Sequence, residues 1–125
     1  MTDSEGVLRT FEADWERLDQ EERNLRLANH TLIELQKIYA ALSSDQRQVV
    51  DSILGDWVLS DNERRQFDGE SLIDHFHITA ALPALRSAVG STVDATDAPT
   101  AYRREKLQRL IEALDPRAGR ASGEP

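Results

Sequence analysis

The residues whose types could do chemistry lie past the middle of the chain. Glu70, Asp74 and His77 follow one another at i, i+4 and i+7, so a helix would place them within about 60° of one another, with His75 nearby. Carboxylate and imidazole groups together bind zinc or iron. Helical bundles, however, commonly take metal ligands from facing helices as Glu-x-x-His pairs, and the sequence contains no such pair. A solvated polar face explains the same residues, so we predict no metal ligand and keep metal binding as an alternative.

No motif for covalent or phosphate chemistry accompanies these residues. An activated hydroxyl needs a base within hydrogen-bond reach, and the strained G-x-S-x-G turn that exposes such a serine does not occur. The sequence also lacks a glycine-rich phosphate loop. We therefore predict a protein that is not an enzyme, has no catalytic residue and uses no cofactor.

Acidic residues are concentrated in the first 22 positions. Eight acids and two arginines give this stretch a net charge of −6, out of −8 for the whole chain. Phosphate backbones repel an acidic protein, so we expect no nucleic-acid ligand and favour a basic protein partner. Ordinary solvation is the alternative explanation for these acids. The candidate partner-binding residues, which a helix would align on one flank of its apolar stripe, are Glu5, Glu12, Glu16 and Asp19.

Length and composition set the class of protein. A chain of 125 residues can bury the core of one domain. It has no cysteine, which excludes disulfides and is compatible with a reducing cytosol. Its acidic start has no apolar segment of the kind found in secretory signals, and no apolar run approaches the roughly 18–20 residues that span a membrane. We expect a cytoplasmic protein that does not enter a membrane.

Apolar residues recur with helical spacing along the chain, and no run alternates as a strand would. We predict an all-α fold in which residues 1–114 form a single domain. Residues 115–125, rich in Gly, Pro, Arg and Ala, are predicted to be a disordered tail. The predicted helices cover about 4–18, 21–41, 44–59, 60–76, 80–89 and 98–114.

Polar residues and glycines mark the helix boundaries and close contacts. Ser43 with Gln46, and again Ser60 with Glu63, have the spacing of a capping box, in which each side chain satisfies a backbone N–H at a helix start. Gly55 and Gly69 lie inside predicted helices, where glycine costs about 1 kcal/mol relative to alanine. We interpret both glycines as points where a neighbouring helix crosses closely.

The pattern of residues 58–86 indicates two helices joined by short polar segments. In order, they contain a helix end at Val58-Leu59, the polar turn Ser60-Asp61-Asn62, a helix that carries Arg64-Arg65 and ends in Leu72-Ile73, the link His77-Ile78-Thr79, and Ala81-Leu82-Pro83-Ala84-Leu85 opening the next helix. In these features they resemble a HEAT-like helical repeat. The resemblance covers less than a third of the chain. It implies a short helical array, with an irregular bundle as the alternative, and protein binding rather than catalysis.

Together these patterns predict a non-enzymatic helical module that binds a basic protein partner. An immunity-type inhibitor of a cationic toxin, which is also small, acidic and helical, is an alternative. A metal-binding helical protein is another. The spacing of apolar residues in the second predicted helix also leaves open a homo-oligomer that pairs through this helix.

Overall fold

The computed structural model describes residues 3–25, 29–92 and 94–115, which fold into helices without any β-strand. The predicted all-α fold is confirmed, while its HEAT-like character stays a prediction. The six α-helices are α1 (Ser4–Leu25), α2 (His30–Ala40), α3 (Ser44–Val58), α4 (Glu63–Phe76), α5 (Leu82–Gly90) and α6 (Ala98–Leu114), and a 3-10 turn (Thr79–Ala81) precedes α5.

The chain divides into two compact units within α3. Unit 1 ends at Ile53 and unit 2 begins at Leu54. The prediction of a single domain over residues 1–114 stays a prediction. Of the predicted tail, residues 115–125, only Asp115 belongs to the described residues.

In unit 1, α1 packs against α2 along their apolar faces. Phe11 and Trp15 of α1 and Leu35 and Tyr39 of α2 are buried, each with an exposed fraction of 4% or less. These positions repeat every four residues, which places them on one side of each helix. Burial of large apolar side chains at about 1.5–3 kcal/mol each is the main stabilising term for such a pair.

The predicted boundary between the first two helices is wrong. The prediction ended the first helix at 18 and began the second at 21, whereas α1 continues to Leu25 and α2 begins at His30. Asp19, which follows the predicted end of the first helix, is buried inside α1 and accepts from Arg23 at 2.8 Å, one turn later. The predicted second helix also included Leu27 and Ala28, which lie outside the described residues.

Side chains of α1 satisfy the start of α2. Its first backbone N–H groups have no partner within the helix, and Asn29, at φ 60°, provides no side-chain cap. Instead Glu22 Oε1 accepts from the Thr31 N–H at 3.0 Å, and Glu21 Oε2 lies 3.0 Å from His30 Nε2. Carboxylates are favourable at a helix N-terminus because the helix dipole is positive there. The last turn of α1 therefore fixes where α2 begins.

In unit 2, α6 packs against both α4 and α5. Leu72, Leu85 and Leu107, one from each of these helices, have exposed fractions of 0%.

The start of α4 differs from the prediction: its cap is Asn62 rather than Ser60. The Asn62 Oδ1 accepts from the N–H groups of Arg64 and Arg65. The Ser60 hydroxyl instead accepts from the Asn62 N–H at 3.0 Å.

The two glycines that predict close contacts both lie against another helix. A Cβ atom built on Gly55 would stand 3.4 Å from the Ala84 Cβ, which is ordinary contact. One built on Gly69 would stand 3.1 Å from the Trp57 Cβ and 3.3 Å from the backbone oxygen of Leu54, so α3 and α4 meet more tightly there. The expected close crossing is confirmed at Gly69, which has less room than Gly55.

We expect Gly69→Ala to lower the free energy of unfolding by about 1–3 kcal/mol. The added methyl group would contact the Leu54 carbonyl oxygen and the Trp57 Cβ, which are close to or part of the α3 backbone and cannot move independently of it. Gly90→Ala is the control: nothing lies within 4 Å of its Cβ position, so it should be neutral or stabilising by up to about 1 kcal/mol. Urea unfolding followed by circular dichroism measures both. Equal stability of the two variants would contradict a tight α3–α4 contact.

Candidate functional site

The three predicted candidates for a metal site do not all share one helical face: Glu70 and Asp74 lie one turn apart on α4, but His77 does not belong to this helix. Glu70 is buried on α4, and its Oε2 lies 3.4 Å from Arg103 Nη2. His77 follows the last residue of α4 with φ 55°, so the backbone turns away from the helix there. His75 packs edge-on against Phe76, with ring centroids 4.7 Å apart. Within residues 3–25, 29–92 and 94–115, no three Asp, Glu or His side chains are grouped to hold a metal ion.

The four candidate acids of the first helix have different environments. Glu5 and Glu16 are exposed and Glu12 is half-buried. Asp19 is 3% exposed and is joined to Arg23, so it does not belong to an open acidic surface. A partner-binding role for Glu5, Glu12 and Glu16 stays a prediction, and for Asp19 the structure offers a second role inside unit 1.

A groove of about 460 Å³ opens in unit 1 between the first half of α1, the end of α2 and the start of α3. Its apolar lining includes Val7 and Phe11 from α1, Ile38 from α2, and Leu42 from the turn that follows. Phe11 is buried, while Val7, Ile38 and Leu42 are half-buried and so present part of their surface to the groove. An incompletely covered apolar surface of this kind is typical of a binding site.

Asp3 and Asp14 are the ionisable residues that line this groove. Asp3 Oδ1 accepts from the Gly6 N–H at 3.1 Å and thereby anchors the start of α1. Asp14 lies 3.4 Å from Arg17, which also binds Glu21 at 3.2 Å. Arg17 is outside the lining, so the ionisable groups that line the groove are both carboxylates, of which Asp14 is paired with Arg17. We call this site, defined by Asp3, Asp14 and the four apolar residues above, the acidic groove.

The acidic groove lies on the other flank of α1 from the predicted row of acids. Asp14 follows Phe11 by three residues and Val7 by seven, which places it on the groove side. Glu12 and Glu16 lie on the opposite side of the Phe11 position, and neither lines the groove. Sequence reasoning missed Asp14 because it grouped acids by their spacing to one another. The signal in the sequence is the spacing of seven residues from Val7 to Asp14, which places Asp14 beside the apolar stripe of α1.

Hydrogen bonds hold the α2–α3 end of the acidic groove in place. Arg47 donates from Nε to the Tyr39 carbonyl at 3.2 Å and from Nη2 to the Ala40 carbonyl at 2.9 Å, which satisfies the last carbonyls of α2. The predicted capping box is confirmed: the Ser43 N–H donates to Gln46 Oε1 at 2.9 Å, and the Gln46 N–H donates to Ser43 Oγ at 3.2 Å. Leu42 therefore lies between two helix ends whose positions are fixed by hydrogen bonds.

A buried hydrogen bond supports the same end. The Tyr39 hydroxyl donates to Asp51 Oδ1 at 2.7 Å, and the Arg47 guanidinium lies over the Tyr39 ring, 5.1 Å from its centroid. Burial raises the pKa of Tyr39 well above its usual value, and the hydrogen bond to Asp51 adds to this rise. Burial also raises the pKa of Asp51. The phenol thus stays protonated and remains a donor across the physiological range.

Comparison with known proteins gives no match to a family model, a curated protein or a solved structure. Among the described residues, no helix combines the length and the apolar character needed to cross a lipid bilayer.

The buried Glu70 predicts a pH-dependent contribution to stability. Burial raises the pKa of Glu70 above its ordinary value of 4.5, although the charges of Arg103 and Lys106 oppose this rise. A carboxyl whose pKa is raised on folding stabilises the fold fully below the unfolded value, and this contribution is lost as the pH rises through the folded value. The free energy of unfolding of the wild type minus that of Glu70→Gln should therefore be larger at pH 4.5 than at pH 7.

Urea unfolding of both proteins at the two pH values measures this difference, in which the titration of the other carboxylates cancels. Asp56→Asn, an exposed residue of α3, is the control and should give the same difference at both pH values. A difference for Glu70→Gln that grows towards pH 7 would mean that the ion pair with Arg103 outweighs burial.

Proposed function

We propose that this protein is a non-enzymatic interaction module whose acidic groove binds a basic, amphipathic segment of a partner protein. The observation that carries the proposal is the lining of the groove, in which half-buried apolar side chains occur together with Asp3 and Asp14 as the charged groups. A segment that presents apolar residues on one side and Lys or Arg beside them complements both features. The cytoplasm, favoured by the cysteine-free sequence, is the location that we propose.

The size and shape of the groove suit a helical or extended segment. Its volume of about 460 Å³ falls within the range of about 300–1,000 Å³ that is typical of binding pockets. Amphipathic helices bind to other proteins by placing apolar residues at i, i+3 and i+4 into such grooves. Ile38 of α2 and Leu42 of the turn after it together offer an apolar edge for such a segment.

The charge of α1 favours a basic partner over a neutral one. Seven acids and three arginines give α1 a net charge of −4, and Asp14 places part of this charge at the groove. Charge complementarity of this kind raises the rate of association more than the final affinity, and salt screens it. Glu5, Glu12 and Glu16, although outside the groove, add to the field that draws a basic segment towards α1.

The apolar part of this proposal is tested with a designed probe, an 18-residue amphipathic peptide of Leu, Lys and Arg that carries a fluorophore. Ile38→Asp should weaken its binding about tenfold, as loss of a central apolar contact does. Ile33→Asp is the matched control, since Ile33 is 48% exposed on the same helix and lies outside the groove. Fluorescence anisotropy gives both dissociation constants, and circular dichroism checks the fold of each variant.

Binding to Ile38→Asp that equals binding to the wild type would contradict the groove as the site. The same peptide with Glu in place of Lys and Arg should bind at least tenfold more weakly, and equal binding would contradict the choice of a basic partner.

The charged part is tested by stopped-flow association at low and high salt. Asp14→Asn should slow association of the basic peptide about twofold to fivefold at low salt, with the difference shrinking as salt rises. The pair Glu12→Arg and Glu16→Arg tests the predicted row of acids in the same way. If neither change alters the rate or its salt dependence, the acids of α1 serve solvation alone and electrostatic attraction of the partner is wrong.

A further inference from the structure

A second groove, of about 240 Å³, lies in unit 2 between α4 and α6. Its α4 wall carries two carboxylates, Glu70 and Asp74, and its α6 wall carries two cations, Lys106 and Arg109. Leu110 contributes apolar surface between the walls. We call this site the two-sign groove, because charges of opposite sign line its opposite walls.

The two walls neutralise each other only in part, because the ion pair between α4 and α6 at the groove, Glu70 with Arg103, is long at 3.4 Å. Among the described residues, the Asp74 carboxylate has no hydrogen-bond or ion-pair partner, and Arg109 pairs with Glu105 of its own helix. The Lys106 ammonium lies over two rings, 5.7 Å from the centroid of Phe67 and 5.9 Å from that of Tyr102. Each wall presents two groups of the same sign about one helical turn apart, and within the described part of the chain only Asp74 among the four has no partner of opposite charge or aromatic ring in contact.

Glu70 is the buried anchor of the two-sign groove. Its side chain is 9% exposed, and its contact with Arg103 is long, at 3.4 Å. Arg103 donates from the same nitrogen to the Val58 carbonyl at 2.8 Å, so the guanidinium is held mainly by backbone. Lys106 acts on Glu70 through its charge without forming an ion pair with it. A buried carboxylate with one long contact is poorly compensated, so a ligand cation placed against it would be favourable.

The volume of the two-sign groove limits the size of its ligand. It lies below the range of about 300–1,000 Å³ that is typical of sites for drug-sized molecules. A small ligand that satisfies both walls needs a cation, an anion and a short apolar connection between them. Amino acids in their zwitterionic form have this composition.

We propose that the two-sign groove binds a small zwitterion of the amino-acid type, with its ammonium group against Glu70 and Asp74 and its carboxylate against Lys106 and Arg109. Its aliphatic portion lies over Leu110. A zwitterion offers each wall a charge of the opposite sign, which neither a cation nor an anion alone can do.

The test is an NMR titration of the whole, isotope-labelled protein at pH 7 with glycine, 4-aminobutanoate and 6-aminohexanoate, which separate the two charges by increasing lengths. At least one of them should shift backbone amides of α4 and α6 around the groove in a saturable way. Butylamine and butanoate, which carry one charge each, should bind at least about fivefold more weakly. A factor of this size is what one partly exposed charge pair contributes. Single-charge compounds that bind as tightly as the best zwitterion, or no saturable shift at millimolar concentrations, would overturn the proposal.

Variants then assign the walls. Asp74→Asn and Lys106→Met should each weaken binding of the best zwitterion about threefold or more. Asp56→Asn and Lys37→Met remove the same charges outside the groove and should leave binding unchanged. Both groove positions are exposed, so the variants should keep the fold, which the dispersion of the amide spectrum verifies. Equal effects of the groove and control variants would show a nonspecific charge effect and refute the site.

Discussion

The backbone groups at the helix ends are the constraint on which the rest of this structure depends. A helix leaves N–H groups at its start and carbonyls at its end without partners inside the helix, and short helices have many such ends for their length. Here side chains satisfy several of them: Glu22 at the start of α2, Arg47 at its end, and Asn62 at the start of α4. These bonds fix where the chain turns, and the turns decide which apolar faces meet and where grooves remain.

Helix boundaries set by neighbouring residues could be predicted from the sequence. The capping box at Ser43 and Gln46 acts over three residues, and its prediction places the start of α3 correctly. The prediction of the boundary between α1 and α2 failed because this boundary is set by a contact between residues farther apart in sequence: Glu22 accepts from the Thr31 N–H, nine residues on. Asp19 follows the predicted end of the first helix at residue 18, but it pairs with Arg23 inside a continuous helix. A local pattern does not reveal which partner a polar side chain takes.

The candidate site was harder to predict than the fold, because charged residues that look alike in the sequence have different roles. Arg103 and Arg104 are neighbours, yet Arg103 holds the Val58 carbonyl, while Arg104 donates to Thr92 and to the Ala95 carbonyl in the connection before α6. Asp14 faces a groove only because residues of α2 and α3 lie beside it. Such roles follow from packing between residues distant in sequence, and helical spacing alone does not contain that information.

The two grooves use charge in different ways, and this difference follows from which helices form them. Each is an apolar surface with ionisable residues at its walls, but the acidic groove presents one sign of charge and the two-sign groove presents both. A single sign produces a field that extends into solvent until salt screens it, roughly 8–10 Å at physiological ionic strength. Opposed signs cancel at a distance and act only on a ligand already in contact. Recognition at the acidic groove is therefore expected to begin with attraction, and recognition at the two-sign groove with fit.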